Sequence, residues 1–269
     1  MRRNVSLEEA HSLILHSCAP VPECHVSIAD ASGRVLSRDI RAANDLPPFN
    51  KSAMDGYAIR ACDTINASHE NRISLHVIDK IIAGFMPMKM VVPGTAVKIM
   101  TGAPLPCGSD AVIRFEDVEI HDDDITVAQE KSPGSNVIRR GEELGCDDLI
   151  AGKGTRVTPS IAGIMAGLGM SEVPVHRNVV AAVMSTGDEL LDPSEAAAPG
   201  KIYNNSLYGI MARCTEIGVH ALNLGMVPDV AESVAERILS GLCKADAVIT
   251  TGGVSNSDCD VVEEGMLLA

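Results

Sequence analysis

Residues 179–184, VVAAVM, form an unbroken apolar run. A strand that lacks polar alternation has to be buried on both faces, and such strands belong to parallel sheets. The chain after it keeps that pattern. Asn205-Ser206 starts a helix that Gly218 ends, and residues 219–224 form a strand. Asp229 stands where it would cap a helix running to about Leu242, and residues 247–250 form a further apolar strand before Gly252-Gly253. Strand, helix, strand, helix, strand with short connections means a parallel sheet covered by helices.

Upstream of Pro174 the pattern differs. Ser6-Leu7-Glu8-Glu9 fits a capping box, and Leu7, Ala10, Leu13 and Ile14 share the face of the helix that follows. The segment VSIADASGRVLSRDI reads as strand, turn, strand. Residues 57–127 are β-rich, with strands over 57–60, 73–82, 96–100, 111–115 and 125–127. His121-Asp122-Asp123-Asp124 is a solvated turn between two of them, and Met86, Met88 and Met90 lie in a loop as a contact face or as filler. Thr158-Pro159 opens a helix that Gly169 closes, and Gly163 and Gly167 on it suit close packing against another backbone. The fold expected is therefore α/β and multidomain: a β-rich inserted domain plus a partial parallel α/β domain. The divisions are an amino-terminal helix and linker over 1–41, the β-rich domain over 42–147, a return segment with a helix over 148–177 and an incomplete α/β domain over 178–269.

Composition narrows the partners. Acidic residues outnumber basic ones 36 to 22, a net charge of −14. Nucleic acid and anionic membrane surfaces both call for a basic patch, so neither is expected. No apolar run is long enough to span a bilayer. The eight cysteines are spread without a C-x-x-C pair, which reads as reduced, buried thiols in a cytoplasmic protein.

Two loops stand at the carboxyl ends of parallel strands, where open α/β sheets bind ligands. They are Ser185-Thr186-Gly187-Asp188-Glu189 and Thr250-Thr251-Gly252-Gly253-Val254-Ser255. Their glycines let a backbone approach a phosphate, although neither loop is a Walker or dinucleotide motif and an ordinary strand-to-helix turn has the same look. Asp188 and Glu189 share the first loop, and Asp258 and Asp260 follow the second. Four carboxylates on one sheet edge need a divalent cation or raised pKa values, and magnesium bridging to a phosphate is the economical solution. Asp258 as a simple helix cap is the alternative. In the β-rich part, LPPFNKSAMDGYAIR (46–60) is a proline-stiffened polar loop running into a strand, a place where a scaffold holds reactive side chains or merely turns. Arg139 and Arg140 either meet an anion or pair with Glu142 and Glu143.

LPPFNKSAMDGYAIR resembles the signature loop of the molybdopterin molybdenumtransferase family (MoeA and the gephyrin E domain). VKIMTGAPLPCGSDAVIRFED, NVIRRGEE, STGDELL, GKIYNNS and ITTGGVSNSDCD resemble that family's other motifs, in its order, over essentially the whole chain. The resemblance implies insertion of molybdate into adenylylated molybdopterin, releasing AMP and forming molybdenum cofactor with Mg²⁺. It implies a homodimer whose active sites each draw on both subunits, and contact with a molybdopterin adenylyltransferase. Asp55, Thr101 and Glu189 match catalytic positions. Ser52, Ser185, Thr186, Gly187, Gly252, Gly253 and Ser255 match substrate-binding ones, and Asp188, Glu189, Asp258 and Asp260 the metal ligands. Lys51, Arg114 and Arg140 are candidate anion partners.

This sequence departs from the family pattern at Glu143 and Asn204, where Asp is common, at Ser257 for Gly and at Cys259 for Tyr. It also stops at Ala269, where the family continues with more α/β domain and a small β-domain, so a truncated form is expected. An adenylyltransferase-like binding domain and a non-catalytic scaffold module like that of gephyrin are the other readings.

Overall fold

The computed structural model describes residues 5–253 and 261–269. The chain divides into two compact units, one of residues 1–37 and 173–269, the other of residues 38–172.

The second unit is built on a six-stranded mixed sheet. Its order is Ala111–Arg114, Gly56–Ile59, Thr95–Ile99, Ile73–Ile81, Asp124–Val127, Val118–His121. Only the Ile73–Ile81 and Thr95–Ile99 pair runs parallel; the other pairs are antiparallel. Period-2 alternation fills both faces. Tyr57, Ile59, Ile113, Ile125 and Val127 pack on one, and Ala58, Val97, Ile99 and Val112 on the other. With no tryptophan and few aromatics, the filling is aliphatic, apart from Tyr57 edge-on to Phe115 at 5.3 Å between centroids. Asp122, at φ 51°, takes the tight turn between the last two strands, as expected of the His121–Asp124 segment.

Gly56 sits between two strands where nothing larger fits. A Cβ there would lie 1.9 Å from the Ile113 carbonyl oxygen. The helix Pro159–Gly167 (α2) starts at the Thr158 cap, whose hydroxyl accepts from Ile161 N, and Gly169 follows it at φ 80°. Within this chain no second backbone packs on Gly163 or Gly167: a Cβ on Gly163 would meet nothing within 4 Å, and one on Gly167 only the tip of Leu46 at 4.0 Å.

The first unit carries a parallel three-stranded sheet, His220–Val227, Val180–Thr186, Ala247–Thr251. Helix α3 (Asn205–Glu216) packs on the first two strands. Helices α4 (Ala231–Leu242) and α5 (Val262–Leu268) enclose a core of Ala182, Met184, Leu224, Val227, Val234, Ile238 and Val262. Close helix contacts fall on Gly241 and Gly265. A Cβ at Gly241 would come within 2.8 Å of Leu224, and one at Gly265 within 2.6 Å of Val234. The amino-terminal helix α1 (Leu7–Ser17) is capped by Ser6, which accepts from Glu9 N at 3.1 Å, yet none of its residues is buried.

Three local expectations are corrected here. The segment around Ala31-Ser32-Gly33 is not two strands. The strand is Glu23–Ser27, the chain then tightens into a 3₁₀ turn at Ile28–Asp30 capped by the Ser27 hydroxyl, and Leu36 makes only an isolated bridge to Val175. Asp229 does not cap α4; the cap position is Val230, one residue later, and no side chain serves it. The described thiols are not mainly buried: Cys214 is, Cys24 is half-buried, and Cys18, Cys62, Cys107, Cys146 and Cys243 are exposed.

Where the parallel sheet begins, Asp246 receives a forked pair of bonds from Arg177, with Nη1 to Oδ2 at 2.7 Å, and a third from Val180 N at 2.9 Å. The Arg177 bond, then the Val180 amide, pull its pKa down from 3.8 to about 2. A carboxylate depressed on folding stabilises the fold above its unfolded pKa, and that contribution is lost as pH falls from 3.8 through about 2. Asp246→Asn should therefore flatten the dependence of unfolding free energy on pH across that window. Parallel curves for variant and wild type would show the pair contributes nothing.

Candidate active site

In the β-rich unit, the 46–60 loop meets the loop that begins at Thr101. The short strand Lys51–Ser52 pairs with Val137–Ile138 and threads past the 101–105 loop. Ser52 N donates to Ala103 O at 3.0 Å, Gly102 N to Ser52 O at 2.9 Å, and Leu105 N to Asn50 O at 2.9 Å. These bonds hold Asp55 against Thr101. Asp55 Oδ1 accepts both the Thr101 amide and the Thr101 hydroxyl, each at 2.7 Å. The amide bond, then the hydroxyl bond, lower the Asp55 pKa, so it is an ionised carboxylate throughout the neutral range. Both side chains are exposed, and Asp55 Oδ2 carries no hydrogen bond among the described residues.

Ser52 is fully buried. Its hydroxyl donates to Met54 O at 2.5 Å and accepts from Met54 N at 3.3 Å, which turns the chain toward Asp55. That is a positioning arrangement and leaves no hydroxyl free for a substrate. The basic candidates are already paired: Lys51 with Glu143 at 3.6 Å, Arg114 with Asp117 at 2.8 Å, Arg140 with Asp45 at 2.5 Å. Of the two readings of Arg139 and Arg140, side-chain pairing with Glu142 and Glu143 is not what forms among the described residues. Arg139 uses its backbone N–H toward Glu142, at 2.8 Å, and Arg140 reaches Asp45, a contact 95 residues away in sequence.

In the α/β unit, the carboxyl edge of the parallel sheet carries the second group. Ser185 and Thr186 end the central strand and are buried. The Ser185 hydroxyl lies 2.7 Å from Thr251 Oγ1 and donates to Asn204 Oδ1 at 3.2 Å. Both hydroxyls of the first loop therefore face inward, and what it presents to solvent is Asp188 and Glu189. Gly187, at φ 146°, lies under the Glu189 carboxylate; a Cβ there would stand 2.5 Å from Oε2. Asp188 N donates to Asp229 Oδ2 at 3.3 Å, and Lys201 Nζ donates to Asp188 O. Asp229, placed by sequence on a helix cap, thus holds the acidic loop, while Lys201 ties it to the strand Ile202–Tyr203 that pairs with Leu190–Leu191. The role of Asp229 is not marked in local sequence, since it depends on a contact 41 residues away.

Gly252 and Gly253 pass directly over Thr186. They take φ 87° and 59°, and a Cβ on Gly252 would lie 2.4 Å from Thr186 O. The two glycine loops are therefore in contact, as two adjacent parallel strands require. Ser255, Asp258 and Asp260 lie outside the described residues. Among the described residues no three His, Cys, Asp or Glu side chains gather as a metal cluster. Asp188 and Glu189 remain as exposed oxygen donors on one loop. Mg²⁺, which takes one or two carboxylates together with phosphate and water oxygens, is compatible with that set.

Comparison with known proteins agrees with this architecture. The family pattern of the MoeA N-terminal region (domain I and II) matches residues 5–169, and that of a probable molybdopterin binding domain matches residues 182–268. The chain is 36% identical over 263 residues to the molybdopterin molybdenumtransferase of Bacillus subtilis, covering 96% of this chain and 61% of that protein. It is equally similar to that of Staphylococcus epidermidis, with 98% and 63% covered. A crystal structure of the molybdopterin biosynthesis MoeA protein from Pyrococcus horikoshii superposes with a TM-score of 0.88 at 31% identity, over 98% of this chain and 66% of that one. The chain thus spans 61–63% of the length of these curated relatives. With one family pattern covering 5–169 and the second most of the remainder, the chain belongs to the MoeA family of molybdenum cofactor biosynthesis proteins.

Proposed function

We propose that this chain serves the insertion of molybdate into adenylylated molybdopterin, with release of AMP and formation of molybdenum cofactor. The observation that carries the reading is the Asp55–Thr101 pair, an ionised carboxylate with one oxygen fixed by two short bonds and the other left open. Such a group accepts the hydrogen of an attacking oxygen and orients it. Its lowered pKa makes it a positioning acceptor more than a strong base. Thr101 fixes the carboxylate, and Ser52 fixes the loop that carries it.

On the sheet edge, Gly187, Gly252 and Gly253 allow close approach of a phosphorylated ligand to backbone, and Asp188 and Glu189 would hold Mg²⁺, with Asp258 and Asp260 as further candidates. Bound there, the metal would neutralise charge developing on the leaving phosphoryl group. Molybdate is a substrate in this scheme. The names of the relatives support the reaction class, and the reading takes the protein as a cytoplasmic homodimer that receives its substrate from a molybdopterin adenylyltransferase.

Anaerobic incubation with adenylylated molybdopterin tests the reading. AMP should form when both Mg²⁺ and molybdate are present and fall to background after chelation or without molybdate. Equal AMP in all three conditions would remove the metal and the oxyanion from the reaction.

A further inference from the structure

The stretch Met86-Pro87-Met88-Lys89-Met90 repeats methionine at every second position. It lies between the strands Ile73–Ile81 and Thr95–Ile99, outside regular structure. All three side chains stand in solvent, at 73%, 95% and 58% exposure, so they do not fill a gap in the core. Met86 and Met88 line one cavity of about 420 Å³ with Ile82 and Phe85, which Asp79 and Lys80 line with one charge of each sign. Met90 stands against the turn at Cys107-Gly108. Val91 N donates to Cys107 O at 2.8 Å, and a Cβ on Gly108 would come 3.1 Å from Met90 Cγ. The intervening cation is tied off, since Lys89 Nζ donates to Ile78 O at 2.6 Å.

A face that had only to be apolar would have no preference for sulfur. Yet three of the chain's twelve methionines fall within these five residues. A thioether is a neutral, soft donor. Such donors select Cu(I) and leave hard cations such as Mg²⁺ to oxygen. Pro87 fixes its own φ and keeps Met86 out of the helical region, so the first pair is held on extended backbone. Three rotatable bonds in each side chain then let sulfurs two residues apart turn toward one ion.

We propose that Met86, Met88 and Met90 form a binding site for a soft monovalent cation of the Cu(I) class, held through thioether sulfur. The site uses none of the residues assigned to the proposed function and does not depend on that reading.

The test is titration of the full chain with Ag(I), which shares the charge and softness of Cu(I) without its redox chemistry. The protein carries ¹³C-labelled methionine methyls, its thiols are capped with N-ethylmaleimide, and the buffer is free of chloride. The methyl signals of Met86, Met88 and Met90 should shift together and saturate at about one equivalent. Met54 and Met266, exposed but isolated, are internal controls and should not move. Mg²⁺ should move none of them. The triple variant Met86→Leu, Met88→Leu, Met90→Leu keeps the surface apolar and removes the sulfurs, so saturable binding should be lost with the thermal midpoint little changed. Because a cap on Cys107 crowds Met90, Cys107→Ser with the other thiols capped is titrated in parallel and should give the same shifts. Equal shifts at Met54 and Met266, no shift at the three in either protein, or retained binding in the triple variant overturns the proposal.

Discussion

Asp55→Ala should reduce AMP release from adenylylated molybdopterin by about a hundredfold or more, the usual scale for removing a positioned acid–base group. The fold should hold. Asp55 and Thr101 are both exposed, and the strand and loop around them are pinned by backbone bonds from Ser52, Asn50 and Gly102 that the substitution does not touch. Unfolding midpoints should therefore match while turnover separates. Asp55→Asn makes the point more sharply, because its Oδ1 still meets the Thr101 amide and only the charge is lost. If charge is what acts, both variants fail. If the Asn variant turns over like wild type, Asp55 is a loop tie and not a reacting group. The pH dependence has a definite sign. Thr101 lowers the Asp55 pKa, so the contribution of Asp55 is complete at neutral pH and declines only as pH drops below its ordinary value of 3.8.

Gly56→Ala should be the most damaging small substitution in the β-rich unit, costing about 3 kcal/mol or more in urea unfolding. The added carbon would sit 1.9 Å from the Ile113 oxygen and 2.8 Å from its carbonyl carbon. Both are backbone atoms of the neighbouring strand, in register with Gly56–Ile59, so no side-chain rotation relieves the clash. Gly163→Ala is the matched control. That glycine is exposed on α2 with nothing within 4 Å, and alanine there should raise stability by about 1 kcal/mol through helix propensity alone. Equal effects at the two sites would mean that strand contact at Gly56 is looser than the geometry shows. Asp55 immediately precedes Gly56, so the same clash would displace the candidate catalytic carboxylate.

Much of this was readable from local chemistry. The caps at Ser6 and Thr158, the buried run that became Val180–Thr186 and the alternation of the β-rich strands each depend on residues adjacent in sequence. Both glycine loops fell at strand ends for the same reason. What escaped depends on distance. Asp55 reaches Thr101 across 46 residues, and Arg140 reaches Asp45 across 95. Asp229 looks like a cap because it precedes a helix, but Val230 takes that position and its carboxylate turns to Asp188. Gly163 and Gly56 look alike as letters; only the neighbouring strand at Ile113 distinguishes them. The hydroxyls of Ser52, Ser185 and Thr186 suggested ligand contacts by motif, and packing turned them inward. Asn205-Ser206 read as the start of a helix, and the residue that caps it, Asn204, emerged only from its bonds to Leu207 and Ser185.

Asp55 and the acidic glycine loop are proposed to serve transfer of molybdenum, and not simple cleavage of the adenylylated pterin. Molybdenum carried on the pterin can be measured alongside AMP in the same anaerobic reaction, by reconstituting a cofactor-free molybdenum enzyme. Loaded cofactor should appear in step with AMP, and both should vanish in Asp55→Ala. AMP released without loaded cofactor would contradict it.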